Sequence, residues 1–161
     1  MLDLIKNRRS VRKFTGNPVE EKEIHDLLEA AMNAPSAVNE QAWQFVVITG
    51  TILQEFLSIN LNSPGSSVGI LVCQDLTLEK SKGYSVQDCS AAVQNILLAA
   101  YSKGLGAVWT AVFPDNAKKI KKLLKLPYHV IPFAFVPIGH ADSKPEVKNR
   151  FDPSRVHRNV W

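Results

Sequence analysis

The stretch SVQDCSAAVQNILLAAYSKGLGAVWTAVF, residues 85–113, decides the fold class of this chain. Val86, Cys89, Val93, Ile96, Leu97 and Ala100 fall on one face at helical spacing. Ser85 reads as the N-cap, with Asp88 three residues on in a capping-box-like pattern. Gly104 is a natural stop. Ala107 to Phe113 then reads as an apolar strand. A long helix with one apolar face, leading straight into a short strand, describes a helix laid against a sheet.

Working outward, helices and strands keep alternating. Leu2 to Arg9 reads as a short helix. Asn17-Pro18 starts a second, with Asn as cap and Pro at the first position. Its apolar face is Ile24, Leu27, Leu28 and Ala31, and Pro35 ends it. Trp43–Thr49 and Val68–Gln74 read as buried strands, Thr51–Ile59 as a helix and Asn60–Ser67 as a loop. On the other side, Asp115 caps a basic helix over Asn116–Leu126. Ile131–Ile138 is the last strand, and Pro132 and Pro137 place it at an edge or on an irregular path. The expectation is a mixed central sheet flanked by helices, in a single domain over residues 1–161. From Ala141 to Trp161 the chain becomes a polar, basic tail. It still carries Phe151, Val156, Val160 and Trp161, anchors that suggest packing on a partner subunit.

Composition narrows the function. Apolar residues make up 45% and charged residues 21%, as in ordinary globular proteins. There is no apolar run of about 18 residues to span a membrane and no apolar signal core in Met1–Asn7, so the cytoplasm is the expected compartment. Cys73 and Cys89, 16 apart, read as buried thiols rather than a disulfide framework or metal knuckle. His25, His129, His140 and His157 form no metal pair. No nucleophile elbow or phosphate loop is present, and Gly104-Leu105-Gly106 is too short for a dinucleotide fingerprint. No catalytic side chain and no metal ligand is therefore assigned, and a cofactor is expected to carry any reaction.

Four segments could hold one. Arg8-Arg9-Ser10-Val11-Arg12-Lys13 gathers guanidinium groups and a hydroxyl able to clamp a phosphate. Read alone, a solvated basic turn explains it as well. Ala34-Pro35-Ser36-Ala37-Val38-Asn39-Glu40-Gln41-Ala42-Trp43 displays neutral donors and acceptors suited to a planar heterocycle, or is a plain helix-to-strand connection. Gly104 to Ala111, including Trp109 and Thr110, offers backbone N–H groups close to a ring, or is an interior strand. Lys148-Asn149-Arg150 places two cations on one side of an extended chain. The net charge of +4 also admits nucleic-acid binding through the helix carrying Lys118, Lys119, Lys121 and Lys122. A solvated face is the simpler reading of that helix, and no nucleic-acid partner is expected.

In this order, the segments resemble the FMN-dependent nitroreductase family along nearly the whole chain. The resemblance rests on Arg8 through Phe14, Ala34-Pro35-Ser36 through Asn39-x-Gln41-x-Trp43, and Asp88 through Ala100. Gly104 through Trp109, Pro137-x-Gly139 and Lys148-x-Arg150 complete it. It implies an α+β, nitroreductase-like fold, a domain-swapped homodimer with the tail on the partner, and FMN at the subunit interface. Residues like Arg8, Ser10 and Arg150 would hold the phosphate. Those like Arg9, Arg12 and Lys148 would sit near the phosphate or pyrimidine edge. Pro35, Ser36, Ala37, Asn39 and Gln41 would come from the other subunit, and Trp109, Thr110 and Ala111 would lie beside the flavin. The implied reaction is ping-pong hydride transfer from NADH or NADPH to a small electron-poor acceptor: a nitroaromatic, a quinone or a flavin. Other flavin chemistry on the same fold, such as reductive dehalogenation or flavin breakdown, is the alternative. Three departures stand out. Ala42 replaces a frequent Pro. Ala111 and Val112 replace an acidic residue and Gly. The segment between Leu61 and Gly69 lacks a longer helical insertion.

Overall fold

The computed structural model describes residues 1–60, 63–143 and 145–161. Leu61, Asn62 and Lys144 lie outside the described residues, and with them the middle of the loop expected over 60–67. In chain order the elements are α1 (Leu2–Asn7), α2 (Glu21–Met32), β1 (Trp43–Thr49), α3 (Gly50–Ile59), β2 (Val68–Asp75) and α4 (Ser85–Ser102). They continue with β3 (Gly106–Ala107), β4 (Thr110–Ala111), α5 (Pro114–Leu123) and β5 (Val130–Gly139). The sheet runs β1-β2-β5-β3, with β4 also paired to β5. Every ladder is antiparallel. The sheet is therefore antiparallel rather than mixed as expected; the parallel pairing of Ser10 with Ala107 is an isolated bridge outside the sheet strands.

Strand periodicity divides the core into two faces. Val68, Ile70 and Val72 of β2, with Ala134, Val136 and Ile138 of β5, meet the apolar faces of α2 and α4. Leu71, Cys73 and Phe135 point the other way, toward Leu53, Phe56 and Leu57 of α3 and Ile120 of α5. Phe56 and Phe135 pack with ring centroids 4.3 Å apart. Along α4, Cys89, Val93, Ile96, Leu97 and Ala100 are buried as expected, whereas Val86 is exposed.

The caps and the last strands depart from the reading of the sequence. Asn17-Pro18 does not start α2. Its first turn forms at Glu21, where the Glu23 carboxylate accepts from the Glu20 N–H at 3.0 Å. Ser85 is not the cap of α4. It lies inside the first turn, and its hydroxyl donates to Glu79 Oε1 and Gln74 Oε1. Asp115 likewise sits within α5, which opens with Pro114 at its first position. The single strand expected over Ala107–Phe113 is split into β3 and β4.

Of the two expectations for β5, the edge fails and the irregular path holds: the strand is interior, and its register with β2 shifts. Pro137 is tolerated because β3 pairs through Ala107↔Ile138 and β4 through Thr110↔Phe135. Pro137 therefore faces the interval between those short strands. Pro132 sits where the β2–β5 register shifts, a bulge that releases one ladder bond.

Candidate functional site

The basic cluster after α1 is bolted into the scaffold rather than left as a solvated turn. Val11 N–H donates to Ala107 O at 3.0 Å, Thr15 N–H to His140 O at 2.9 Å, and Asp142 N–H to Lys13 O at 3.1 Å. The chain passes so close to β3 that a Cβ on Gly106 would lie 2.7 Å from Val11 Cγ1. That approach demands glycine. The Arg9 guanidinium donates to four backbone carbonyls: Lys6 at 2.8 Å, Arg8 at 2.7 Å, Glu146 at 3.2 Å and Lys148 at 3.0 Å. Arg9 thereby ties the start of the tail to the end of α1.

The result is a cleft of about 680 Å³ lined by Arg8, Arg9, Lys148 and Arg150, with Gln94 of α4 on its wall. Arg8 Nη1 is buried and has no hydrogen-bond partner among the described residues. Burial first, and then the neighbouring Arg150 and Arg9, hold the Arg8 guanidinium below its ordinary value. A desolvated donor among like charges lacks an acceptor anion. A phosphate fits that demand, because it accepts several bonds and offsets the repulsion. Arg12 is exposed, Ser10 is half-buried, and neither lines this cleft.

The Pro35–Gln41 loop is built elsewhere, against the N-terminal end of α4. Its 3-10 turn, Ala37–Asn39, contains left-handed backbone: φ is 45° at Val38, 55° at Asn39 and 52° at Gln41. Ser36 Oγ accepts from Gln41 N–H at 3.0 Å, and Asp88 Oδ1 accepts from Ala37 N–H at 2.9 Å. Pro35, Asn39 and Gln41 are exposed, and Ser36 and Ala37 are half-buried. The loop does not line the basic cleft.

The third candidate group follows β3. Trp109 is exposed on one side and meets the Phe133 ring edge-on at 5.8 Å. The Thr110 hydroxyl is committed to Phe135 O at 2.8 Å. Ala111 is exposed, and its carbonyl accepts from Asn60 Nδ2 at 3.1 Å. So Arg8, Arg9, Lys148 and Arg150 are brought together, while 35–41 and 109–111 form separate walls.

Reading the sequence missed Asp88 and Glu40 as working groups. In the sequence Asp88 reads as the capping-box partner of Ser85, and Glu40 sits between two residues of more obvious use. The available signal is a carboxylate bordering the apolar face of the best helix. His140 shares a 3.1 Å bond with Pro18 O. His25, Asp26 and Glu29 come together on α2, but Asp26 is ion-paired with Lys103. No described helix is long and apolar enough to cross a membrane.

Comparison with known proteins defines the class. The model of the nitroreductase family matches residues 5–67 and 67–140. The chain belongs to the nitroreductase family. It is 44% identical to a Methanothermobacter thermautotrophicus protein assigned as an NADH dehydrogenase/NAD(P)H nitroreductase, over all of this chain and 87% of that one. A Parabacteroides distasonis structure with the same assignment superposes at a TM-score of 0.91 with 38% identity, covering 99% of this chain and 98% of the other. A Desulfovibrio desulfuricans structure assigned as a nitroreductase in complex with FMN gives 0.89 at 29% identity, covering 99% and 96%.

Proposed function

We propose that this chain is an FMN-dependent oxidoreductase that passes hydride from NADH or NADPH to an electron-poor small molecule, such as a nitroaromatic, a quinone or a free flavin. The single observation that carries the reading is Arg8 Nη1, buried without an acceptor in a cleft shared with Arg9, Lys148 and Arg150. The likeness to a structure in complex with FMN supports it.

Bound flavin supplies the two-electron relay for hydride. Arg8 and Arg150 would neutralise the phosphate. Arg9 places Lys148 by holding its carbonyl. Lys148 would bring positive charge toward the flavin, which favours the electron-rich reduced form. Ser10 and Arg12, which lie outside the cleft of one protomer, would add a donor and a charge at its margin. Pro35, Ser36, Ala37, Asn39 and Gln41 supply neutral donors and acceptors to the ring. Trp109, Thr110 and Ala111 close the site beside it, chiefly with backbone. No side chain is assigned a proton-transfer role. Donor and acceptor occupy one exposed face in turn, giving ping-pong kinetics.

The residues 1–161 act as one domain that works as a homodimer, in which the 35–41 loop of one protomer completes the cleft of its partner. Two observations support this. The loop and the cleft are separate within one protomer. The tail leaves Phe151 at 74%, Val160 at 77% and Trp161 at 99% exposure, far more than such side chains keep when they have a surface to cover.

A visible spectrum of the purified protein, followed by anaerobic titration with each nicotinamide, tests the reading. Bleaching of a flavin band by NADH or NADPH is expected. A colourless protein that takes up no FMN and oxidises neither nicotinamide overturns it.

A further inference from the structure

Two carboxyls are buried behind the 35–41 loop. Glu40 is 7% exposed and Asp88 3%. One oxygen of each is well used. Glu40 Oε2 accepts from the Lys80 and Ser81 N–H groups, both at 2.7 Å, and Asp88 Oδ1 accepts from Ala37 N–H at 2.9 Å. The other oxygens, Glu40 Oε1 and Asp88 Oδ2, have no partner among the described residues. Both residues close on the same turn: Asp88 Oδ1 takes the Ala37 N–H, the Glu40 N–H donates to Ala37 O at 2.9 Å, and Glu40 is among the groups that raise Asp88. As two carboxylates they would repel, and each would keep a bare buried acceptor. One proton between them satisfies both oxygens.

We propose that Glu40 and Asp88 are positioning residues that share one proton. An Asp88 Oδ2–H donates to Glu40 Oε1, and this bond holds the 35–41 loop in its left-handed form. The loop needs such a hold, since Val38, Asn39 and Gln41 all carry positive φ. Relevance to flavin rests on the function proposed above; the proton-sharing itself does not.

The surroundings agree. Burial is the first cause holding Asp88 above its ordinary range; the Ala37 N–H acts the other way, and Glu40 and Glu79 add to the rise. Glu79 faces the pair from the segment between β2 and α4. It stays charged, held below its ordinary value first by the Ser85 hydroxyl and then by the Ser85 and Gly83 N–H groups. Cys89, the next residue on α4, is pushed up to about 12, first by burial, and stays neutral. The α4 N-terminus favours an anion at Asp88, but that field acts on one carboxylate while repulsion acts on two.

A raised value in the closed loop means that the closed loop binds the proton more tightly than the open one. Its hold is therefore complete below the ordinary carboxyl value and is lost as pH rises through the raised value.

The test is the protection of the Ala37 amide against hydrogen exchange, followed across pH without FMN and corrected for intrinsic exchange. In the wild type, loop opening should grow about tenfold per pH unit from roughly 3.9 up to the raised value, then level off. Glu40→Gln leaves its Oε1 for the two backbone donors and turns an N–H toward Asp88. Asp88→Asn does the same in reverse. Each single variant should keep Ala37 protected with no such slope. In the double variant donor meets donor, and either amide flip breaks a backbone bond, so protection should be low at every pH. Retention of the wild-type slope in Glu40→Gln, or a protected Ala37 in the double variant, overturns the proposal. FMN fluorescence quenching is read in parallel. If the wild type binds no FMN, the flavin reading falls while the protection profile still decides the shared proton.

Discussion

Among the described residues, a buried donor at the basic cleft, Arg8 Nη1, has no acceptor. Among the same residues, two buried acceptors at the 35–41 loop, Glu40 Oε1 and Asp88 Oδ2, have no donor. Both regions break the rule that buried polar groups are bonded. They break it in opposite senses. The cleft is ringed by Arg9, Lys148 and Arg150, so an anion from outside answers it best. The loop can be answered from within, by a single proton. On the proposed reading, the first imbalance marks a ligand site, and the second the support of a loop that presents part of one.

The sharpest way to break this contrast is to remove the donor. Arg8→Ala should cost about 1.5–3 kcal/mol of FMN affinity, roughly 10–150-fold, in a fluorescence titration. Unchanged affinity would return the cluster to a solvated turn. Next comes the wall that carries Arg8. Gly106→Ala drives a methyl into Val11 and should lower stability by about 1–3 kcal/mol in urea unfolding, with FMN affinity falling alongside. Full stability would mean that the close approach is not needed.

Arg9→Lys keeps the charge but loses the fork that holds four carbonyls. FMN affinity should fall by about 1 kcal/mol, roughly fivefold, because the tail is placed less well. A loss as large as that of Arg8→Ala would make Arg9 a direct contact. The smallest effect concerns the loop. Val38 is exposed and held at positive φ, so Val38→Gly should relieve strain at little packing cost. The net gain is about 0.5 kcal/mol after the entropy of glycine, read as slower exchange at Ala37.

How much of this was legible varies with the range of the forces. The α2 and α4 faces, β1 and β2 follow from periodicity, because burial on one side repeats along the chain. The central place of β5 does not. Pro132 and Pro137 point to an edge until the split between β3 and β4 and the bulge at Val72/Cys73 are known, and those belong to other segments. The basic cluster is visible as charge, but the strapping of the tail by Arg9 is not, because its partners are carbonyls up to 139 residues away. Asp88 was misread for a related reason. Beside Ser85 it looks like local capping, while its bonded partner, Ala37, lies 51 residues back. The family model itself ends at residue 140; Lys148 and Arg150, which the resemblance already pairs with the basic cluster, lie beside Arg8 and Arg9 in the structure.

The central claim is that the cleft of one chain is completed by the loop of another. A mixing experiment tests it most directly. One variant, Arg8→Ala, damages the cleft. The other, Asn39→Asp with Gln41→Glu, sets negative charge on the loop facing an electron-rich ring. Each alone should bind FMN weakly. Mixed dimers formed by unfolding and refolding the two together should contain one site with both walls intact, and tight FMN binding should reappear. If the mixture binds no better than the separate variants, the cleft and loop do not meet across a dimer.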